Sequence, residues 1–361
     1  MSNTPRSTPT GRGSPLAPPN RFDAVHREAD FEQLEPNDEL LDDGRSVATE
    51  FLPDNSQSIV IENDSPDIPF RYSLNPYRGC EHGCSYCYAR PYHEYLGLNS
   101  GLDFESKIFV KERAPELFRE WLAKFKGEPS PIAMSGITDC YQPAERRYRL
   151  TRGCLAVALE ARYPMMLITK NALVLRDLDL LRELASQRLV SVALSINTLD
   201  TELARVMEPR TSSPAARLRA VHELSAAGVP TQVMVAPVIP GLNDCDIPSV
   251  LKTAADAGAS GAGYNLLRLP LNVKLVFLDW LARTQPTKRE KVESHIRLTR
   301  DGELTSSQFS QRMRGSGLLA EQIQRTFRVF ATKYHLDRRL PTPDTSQFVP
   351  PPDQSGQLRL F

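Results

Sequence analysis

The chain has 361 residues, room for one large domain or two ordinary ones with an ample core. Its 44 Lys and Arg balance its 44 Asp and Glu, so net charge singles out no partner. No run approaches the roughly 18 apolar residues of a membrane span and no apolar signal stretch follows Met1, so no membrane role is expected.

Residues 1–54 are rich in Pro, Ser, Asp and Glu with little periodic hydrophobicity, and are expected to be mostly disordered. Residues 21–70 carry 14 acidic against 3 basic side chains. From 55 to 282, short apolar runs alternate with amphipathic stretches. Runs at 70–74, 131–135, 164–169, 190–196, 231–238 and 262–268 predict buried strands. Helical patterns at 115–125, 152–162, 177–187, 214–227 and 247–257 fill the gaps, the last two stopped by Gly228 and Gly258. Six β-then-α units imply right-handed crossovers and a parallel sheet, an α/β fold. A helical extension over 283–340 follows. Its segment 283–339 has 13 basic and 6 acidic residues, which suits either a polyanion or a solvated surface. From 341 a Pro-rich spacer leads to Gln357-Leu358-Arg359-Leu360-Phe361.

The most telling feature is Cys80-Glu-His-Gly-Cys84-Ser-Tyr-Cys87, three cysteines in eight residues directly after the first predicted barrel strand. Thiolates are soft, strongly donating ligands, so one short loop of this kind suits an iron–sulfur cluster or a zinc ion. Zinc would need a fourth ligand, with His82 or His93 nearest, and simple clustering of thiols is the third reading. Thiolate ligands need a reducing compartment, and the cytoplasm is expected.

The C-x3-C-x2-C spacing, with Tyr86 before the last cysteine, resembles the loop of radical S-adenosylmethionine (SAM) enzymes at every defining position. The resemblance spans roughly residues 70–269. It implies an open partial (β/α)6 barrel, similar to three quarters of a TIM barrel. It also implies that Cys80, Cys84 and Cys87 ligate a [4Fe–4S] cluster whose fourth iron binds SAM. The reduced cluster would cleave SAM, and the resulting 5′-deoxyadenosyl radical would remove a hydrogen atom from substrate. A flavodoxin or ferredoxin would supply the electron.

Parallel sheets bind ligands at the carboxyl ends of their strands, so residues just past those ends become site candidates. After the second strand, Thr138 and Asp139 stand where many of these enzymes carry a Gly-Gly-Glu turn for the SAM amine. Asp139 suits a helix N-cap equally. Thr-Asp here, with Tyr88 directly after Cys87, resembles the spore photoproduct lyase-like members. Lys170 follows the third strand and Arg210 lies beyond the fourth, two cations suited to the SAM carboxylate. Ser195 and Asn197 suit the ribose or that carboxylate. Val238 after the fifth strand, with Tyr86, suits the adenine.

The lyase-like resemblance suggests a nucleic-acid substrate, in DNA repair or modification. By spacing, that group's hydrogen-donating cysteine position is Gly136 here, and Cys140 is the candidate for hydrogen transfer; a small buried thiol is the alternative. Cys154 and Cys245 read as packing residues. The terminal Gln-Leu-Arg-Leu-Phe resembles the pentapeptide by which bacterial repair proteins dock on the sliding clamp. A radical SAM enzyme on a peptide or metabolite, and a non-enzymatic zinc or iron–sulfur module recruited to DNA, are the other two classes.

Overall fold

The computed structural model describes residues 11–22 and 47–352. In chain order its strands are β1 (Glu50–Pro53), β2 (Val60–Glu62), β3 (Tyr72–Leu74), β4 (Tyr77–Arg78), β5 (Lys107–Val110), β6 (Ile132–Met134), β7 (Met165–Thr169), β8 (Val190–Ser195), β9 (Thr231–Val238) and β10 (Gly261–Leu266). Strands β3, β6, β7, β8, β9 and β10 lie side by side in that order, all parallel. Strand β2 pairs antiparallel on the outer edge of β3.

All six residues of β8 are buried, as a central strand covered on both faces requires. Helices Ala114–Lys124, Leu150–Glu160, Leu178–Ser186, Pro214–Ala226 and Ile247–Asp256 follow in turn. One continuous apolar core joins these helices to the strands. This is the expected partial (β/α)6 barrel. The predicted ends of its strands and helices shift by only one or two residues, the normal fraying of element termini.

Beyond the barrel, the helix Gly317–Lys333 adds Ala320, Ile323 and Ala331 to the main core. Ala262 N–H then donates to Leu336 O at 2.9 Å, so the extension covers the otherwise open edge of β10. The helix Val273–Thr284 runs across the expected boundary at 282.

Four strands were not expected. Strands β1, β5 and β4 form a separate small sheet in that order, β1 parallel and β4 antiparallel to β5. They and β2 are two to four residues long, too short to show a periodicity.

Parts of both ends are held against the barrel. Residues 11–22, assigned to the disordered segment, form a strap with Arg12, Ser14 and Asn20 buried. Polar anchoring, which no hydrophobic period reveals, holds them: Arg12 donates to Thr49 Oγ1 at 3.0 Å and Asn20 to Glu94 O at 2.8 Å. The Pro-rich spacer is also docked as far as residue 349. Phe348 packs edge-on against Tyr163 at 5.1 Å, and Val349 N–H donates to Ala161 O at 2.9 Å. These partners precede β7, so the spacer sits at the amino ends of the strands. The terminal pentapeptide lies outside the described residues.

Candidate active site

The cysteine loop is held from three sides. Strand β4 delivers it from the small sheet, ending two residues before Cys80. A 3₁₀ helix, Arg90–Leu96, leads the chain away. Gly83 takes φ +65°, and a Cβ there would lie 2.6 Å from Glu105 Oε2, so only glycine fits the turn. Beneath it Arg90, fully buried, donates to Cys84 O and Gly101 O at 2.8 Å each and pairs with Glu105. The strap completes the cradle. Gly13 N–H donates to Glu105 Oε2 at 2.8 Å, and a Cβ on Gly13 would meet Gly83 O at 1.8 Å.

Cys80 and Cys84 are buried, Cys87 half-buried, and all are free thiols. Burial is the largest influence pushing each thiol above its ordinary value, and neighbouring thiols push Cys80 and Cys84 further. Lys170 and Arg217 oppose this at Cys84, and Arg90 at Cys87. A dry site holding three soft donors is unfavourable for bare thiolates and suited to cationic iron, which would displace the thiol protons. Among the described residues, no three His, Cys, Asp or Glu side chains converge as a single ion requires. His82, the nearer zinc candidate, instead pairs with Asp139 at 3.4 Å, and His93 meets Lys107 O at 3.0 Å. The donor set fits the cluster.

Around the loop the strand ends contribute two kinds of side chain. Some are open to a ligand. Lys170, after β7, has no hydrogen-bond or ion-pair partner on its ammonium among the described residues; Nζ stands 5.9 Å from the Tyr86 ring centroid. Ser195 at the end of β8 is buried, and its hydroxyl is likewise without a described partner. Asn197 Oδ1 is buried and unpaired among the described residues, as is Ser85 Oγ within the cysteine loop. A free cation and several orphaned polar atoms beside three thiols fit a zwitterionic ligand such as SAM.

Other predicted residues are spent inside the protein. Asp139 accepts from Thr169 Oγ1 at 2.7 Å and Tyr141 N–H at 2.9 Å on one oxygen, and from Lys170 N–H at 2.8 Å on the other. It is an Asx turn that positions Lys170, and no helix begins on it. Thr138 Oγ1 donates to Tyr77 O at 2.8 Å. Arg210 Nε donates to Gly11 O at 2.9 Å, and its guanidinium lies 3.7 Å from Glu81, so it clasps the strap. Val238 is fully buried at the end of β9. Tyr88 Oη donates to Gly136 O at 2.7 Å and leaves its ring 41% exposed at the mouth.

Cys140 is 0% exposed in the main core, its N–H bonded to Ser135 Oγ and its carbonyl to Thr151 Oγ1, so it does not line the mouth. The residue after Asp139 turns inward because the Asx turn reverses the chain there.

The buried network behind the loop escaped the sequence. Tyr86 Oη and Arg217 both donate to the Glu208 carboxylate, and Asn197 Nδ2 donates to it at 3.2 Å. Burial pushes Glu208 up, but Arg217, Lys170 and these hydrogen bonds outweigh it and hold the carboxyl below its ordinary value. Arg217 sits within a helical pattern where a surface arginine is the default, so no sequence signal marked it. A cavity of ≈ 810 Å³ on the C-terminal extension, lined by Arg289, Glu293 and Arg297 among others, includes none of these groups.

The model of the radical SAM superfamily matches residues 74–254, the barrel from β3 to the helix after β9. The chain belongs to that superfamily and is an enzyme whose family cofactors are a [4Fe–4S] cluster and SAM. A protein of Mycobacterium tuberculosis with no assigned function is 39% identical over 249 residues, covering 68% of this chain and 72% of its own. A Methanocaldococcus jannaschii protein, also without one, is 33% identical over 176 residues, covering 49% of this chain and 63% of its own. Spore photoproduct lyase complexed with dinucleoside spore photoproduct is similar in fold, with a TM-score of 0.57, 17% identity and 79% of each chain covered. A variant of that lyase with bound AdoMet and the same dinucleoside has a TM-score of 0.55 and 17% identity, covering 79% of this chain and 78% of its own.

Proposed function

We propose that this radical SAM enzyme acts on nucleic acid, in repair or modification. The observation that carries the reading is the fold shared with spore photoproduct lyase, which is seen complexed with dinucleoside spore photoproduct. Cys80, Cys84 and Cys87 hold the cluster, with Lys170, Ser195 and Asn197 at the SAM end. Bound there, cluster and SAM supply one-electron cleavage and hydrogen-atom abstraction. The chain's own residues do the rest. Lys170 offers its ammonium to a carboxylate, Glu208 fixes Tyr86 against the loop, and Tyr88 with the 3₁₀ helix shields the cysteines from water. A reducing compartment, the cytoplasm, suits the free thiolates, and a flavodoxin or ferredoxin suits the electron supply. The terminal pentapeptide would bring the enzyme to DNA through a sliding clamp.

The test is an anaerobic reaction of reconstituted protein with reductant, SAM and nucleic acids deuterated at candidate positions. Deuterium appearing in 5′-deoxyadenosine supports the reading. SAM cleavage stimulated only by a peptide or metabolite would move the substrate to that class.

A further inference from the structure

Across the mouth of the barrel, side chains link the end of β10 to the end of β6, on the far side of the sheet. Tyr88 reaches Gly136 at the end of β6 through its hydroxyl, while Arg268, two residues past β10, lies over its ring with Cζ 5.5 Å from the centroid. One tyrosine, directly after the last cluster cysteine, therefore spans the mouth. The segment 309–315 joins the same rim, because Arg312 pairs with Asp67 in the loop between β2 and β3.

Charge on this rim is not balanced. Asp67 is occupied by Arg312 and by Ser310 N–H. Arg300 is buried and spends its guanidinium on the carbonyls of Leu267, Gln311 and Arg312. Arg268 has no carboxylate within ion-pair distance among the described residues, though the Asp67 carboxylate, already paired with Arg312, still acts on it from farther off; its guanidinium faces the Tyr88 ring and Met313 Sδ, the latter at 3.7 Å. Burial, then the nearby charge of Arg312, push its guanidinium below its ordinary value, against the smaller upward pull of Tyr88, Tyr92 and Asp67. Beside it stand exposed aromatic faces. Tyr92 on the 3₁₀ helix is 52% exposed, and Phe309, stacked on by Arg312 at 4.7 Å, is 57% exposed. A half-buried, unpaired arginine among exposed rings is the combination that binds a phosphate between unstacked bases.

Resting on the nucleic-acid reading, we propose that Arg268 binds a backbone phosphate of the substrate strand at the barrel mouth, with Tyr92 and Phe309 as stacking platforms for the flanking bases.

The test is fluorescence anisotropy of a labelled single-stranded oligonucleotide with full-length reconstituted protein across a salt series. Arg268→Gln should weaken binding about tenfold and lower the slope of log affinity against log salt by about 0.7, the change expected when one fewer phosphate is neutralised. Arg268→Lys should restore the slope without the full affinity, since a lysine keeps the charge and loses the fork. Tyr92→Ala and Phe309→Ala should weaken binding and leave the slope unchanged. Arg219→Ala, at a charge paired with Glu223 on the helix Pro214–Ala226, is the control and should change nothing. Wild-type affinity and slope in Arg268→Gln would overturn the assignment while leaving the nucleic-acid reading intact. No oligonucleotide binding by the wild type would remove that reading itself. Equal Arg268-dependent binding of polyglutamate would show a generic anion site and overturn the phosphate assignment.

Discussion

The Glu208 carboxylate is the residue on which the back of the site depends. It is buried, and Arg217 is its charge partner. Removing one member of a buried ion pair leaves the other uncompensated, so Arg217→Met should destabilise the fold by about 3–5 kcal/mol in urea unfolding. The pH dependence follows from the lowered carboxyl. A carboxyl whose folded value lies below the unfolded one, ordinarily about 4.3, stabilises the protein above that pH and stops doing so as pH falls through the folded value. Glu208→Gln should therefore be less stable than wild type at pH 7, and the gap should narrow below about pH 4. A gap that widens in acid would contradict this pairing. Lys170 has no hydrogen-bond or ion-pair partner on its ammonium among the described residues, and is proposed to meet the SAM carboxylate. Lys170→Ala should weaken SAM binding by roughly 1.5–3 kcal/mol in calorimetry of the reconstituted protein. Cys140 is buried in the main core, so Cys140→Ala should lower the melting temperature and leave the product unchanged. A changed product would return the thiol to hydrogen transfer.

At the scale of elements, the strap formed by residues 11–22 bears on the cluster more directly than any barrel helix. Its backbone passes Gly83 so closely that no side chain fits at Gly13. Arg12 and Gly13 both bond to Glu105, which with Arg90 underpins the cysteine loop. The strap therefore buttresses the loop, and its loss is expected to expose a cluster held there to oxygen. Gly13→Val should bleach the visible absorbance of reconstituted protein faster in air than wild type, with iron content before exposure unchanged. Equal bleaching rates would reduce the strap to surface decoration.

Across the whole molecule, the candidate site and the Pro-rich spacer lie at opposite ends of the sheet. The cysteine loop, Lys170 and the Arg268 rim gather at the carboxyl ends of the strands, where parallel sheets place their sites. The Pro-rich spacer docks at the opposite end through Phe348 and the Arg188–Asp344 pair. A terminal clamp-docking peptide would then hold a partner away from the mouth and leave substrate access free. A synthetic peptide ending at Phe361 should bind a bacterial sliding clamp at micromolar strength, roughly −8 kcal/mol. Replacing Leu360 and Phe361 with Ala should remove most of that, and truncating residues 357–361 should leave SAM cleavage intact. Clamp binding that survives truncation would dismiss the peptide.

The three cysteines, the six parallel strands and the five helices between them were legible in the chain because each is written locally. The ligand spacing is contiguous, and a strand buried on both faces must be apolar along its whole length. Topology alone puts the candidates at strand ends, and there Lys170 and Asn197 lie beside Tyr86 of the cysteine loop. Which of them remain free for a ligand was not legible. Asp139 and Arg210 have the same chemistry as open site residues, and only the folded chain shows their hydrogen bonds spent on Lys170 and on the strap. The same holds for Arg12, Arg90, Arg217 and Arg268. An arginine reads as surface until the partners brought near it from distant sequence, or their absence, reveal whether it is a buried strut or an unpaired charge. The sequence alone determined the chemistry this protein can perform, because cofactor ligands sit on one short loop. Only the tertiary structure decided what surrounds that chemistry, because hydrogen-bond satisfaction depends on pairings between residues as far apart as Gly11 and Arg210.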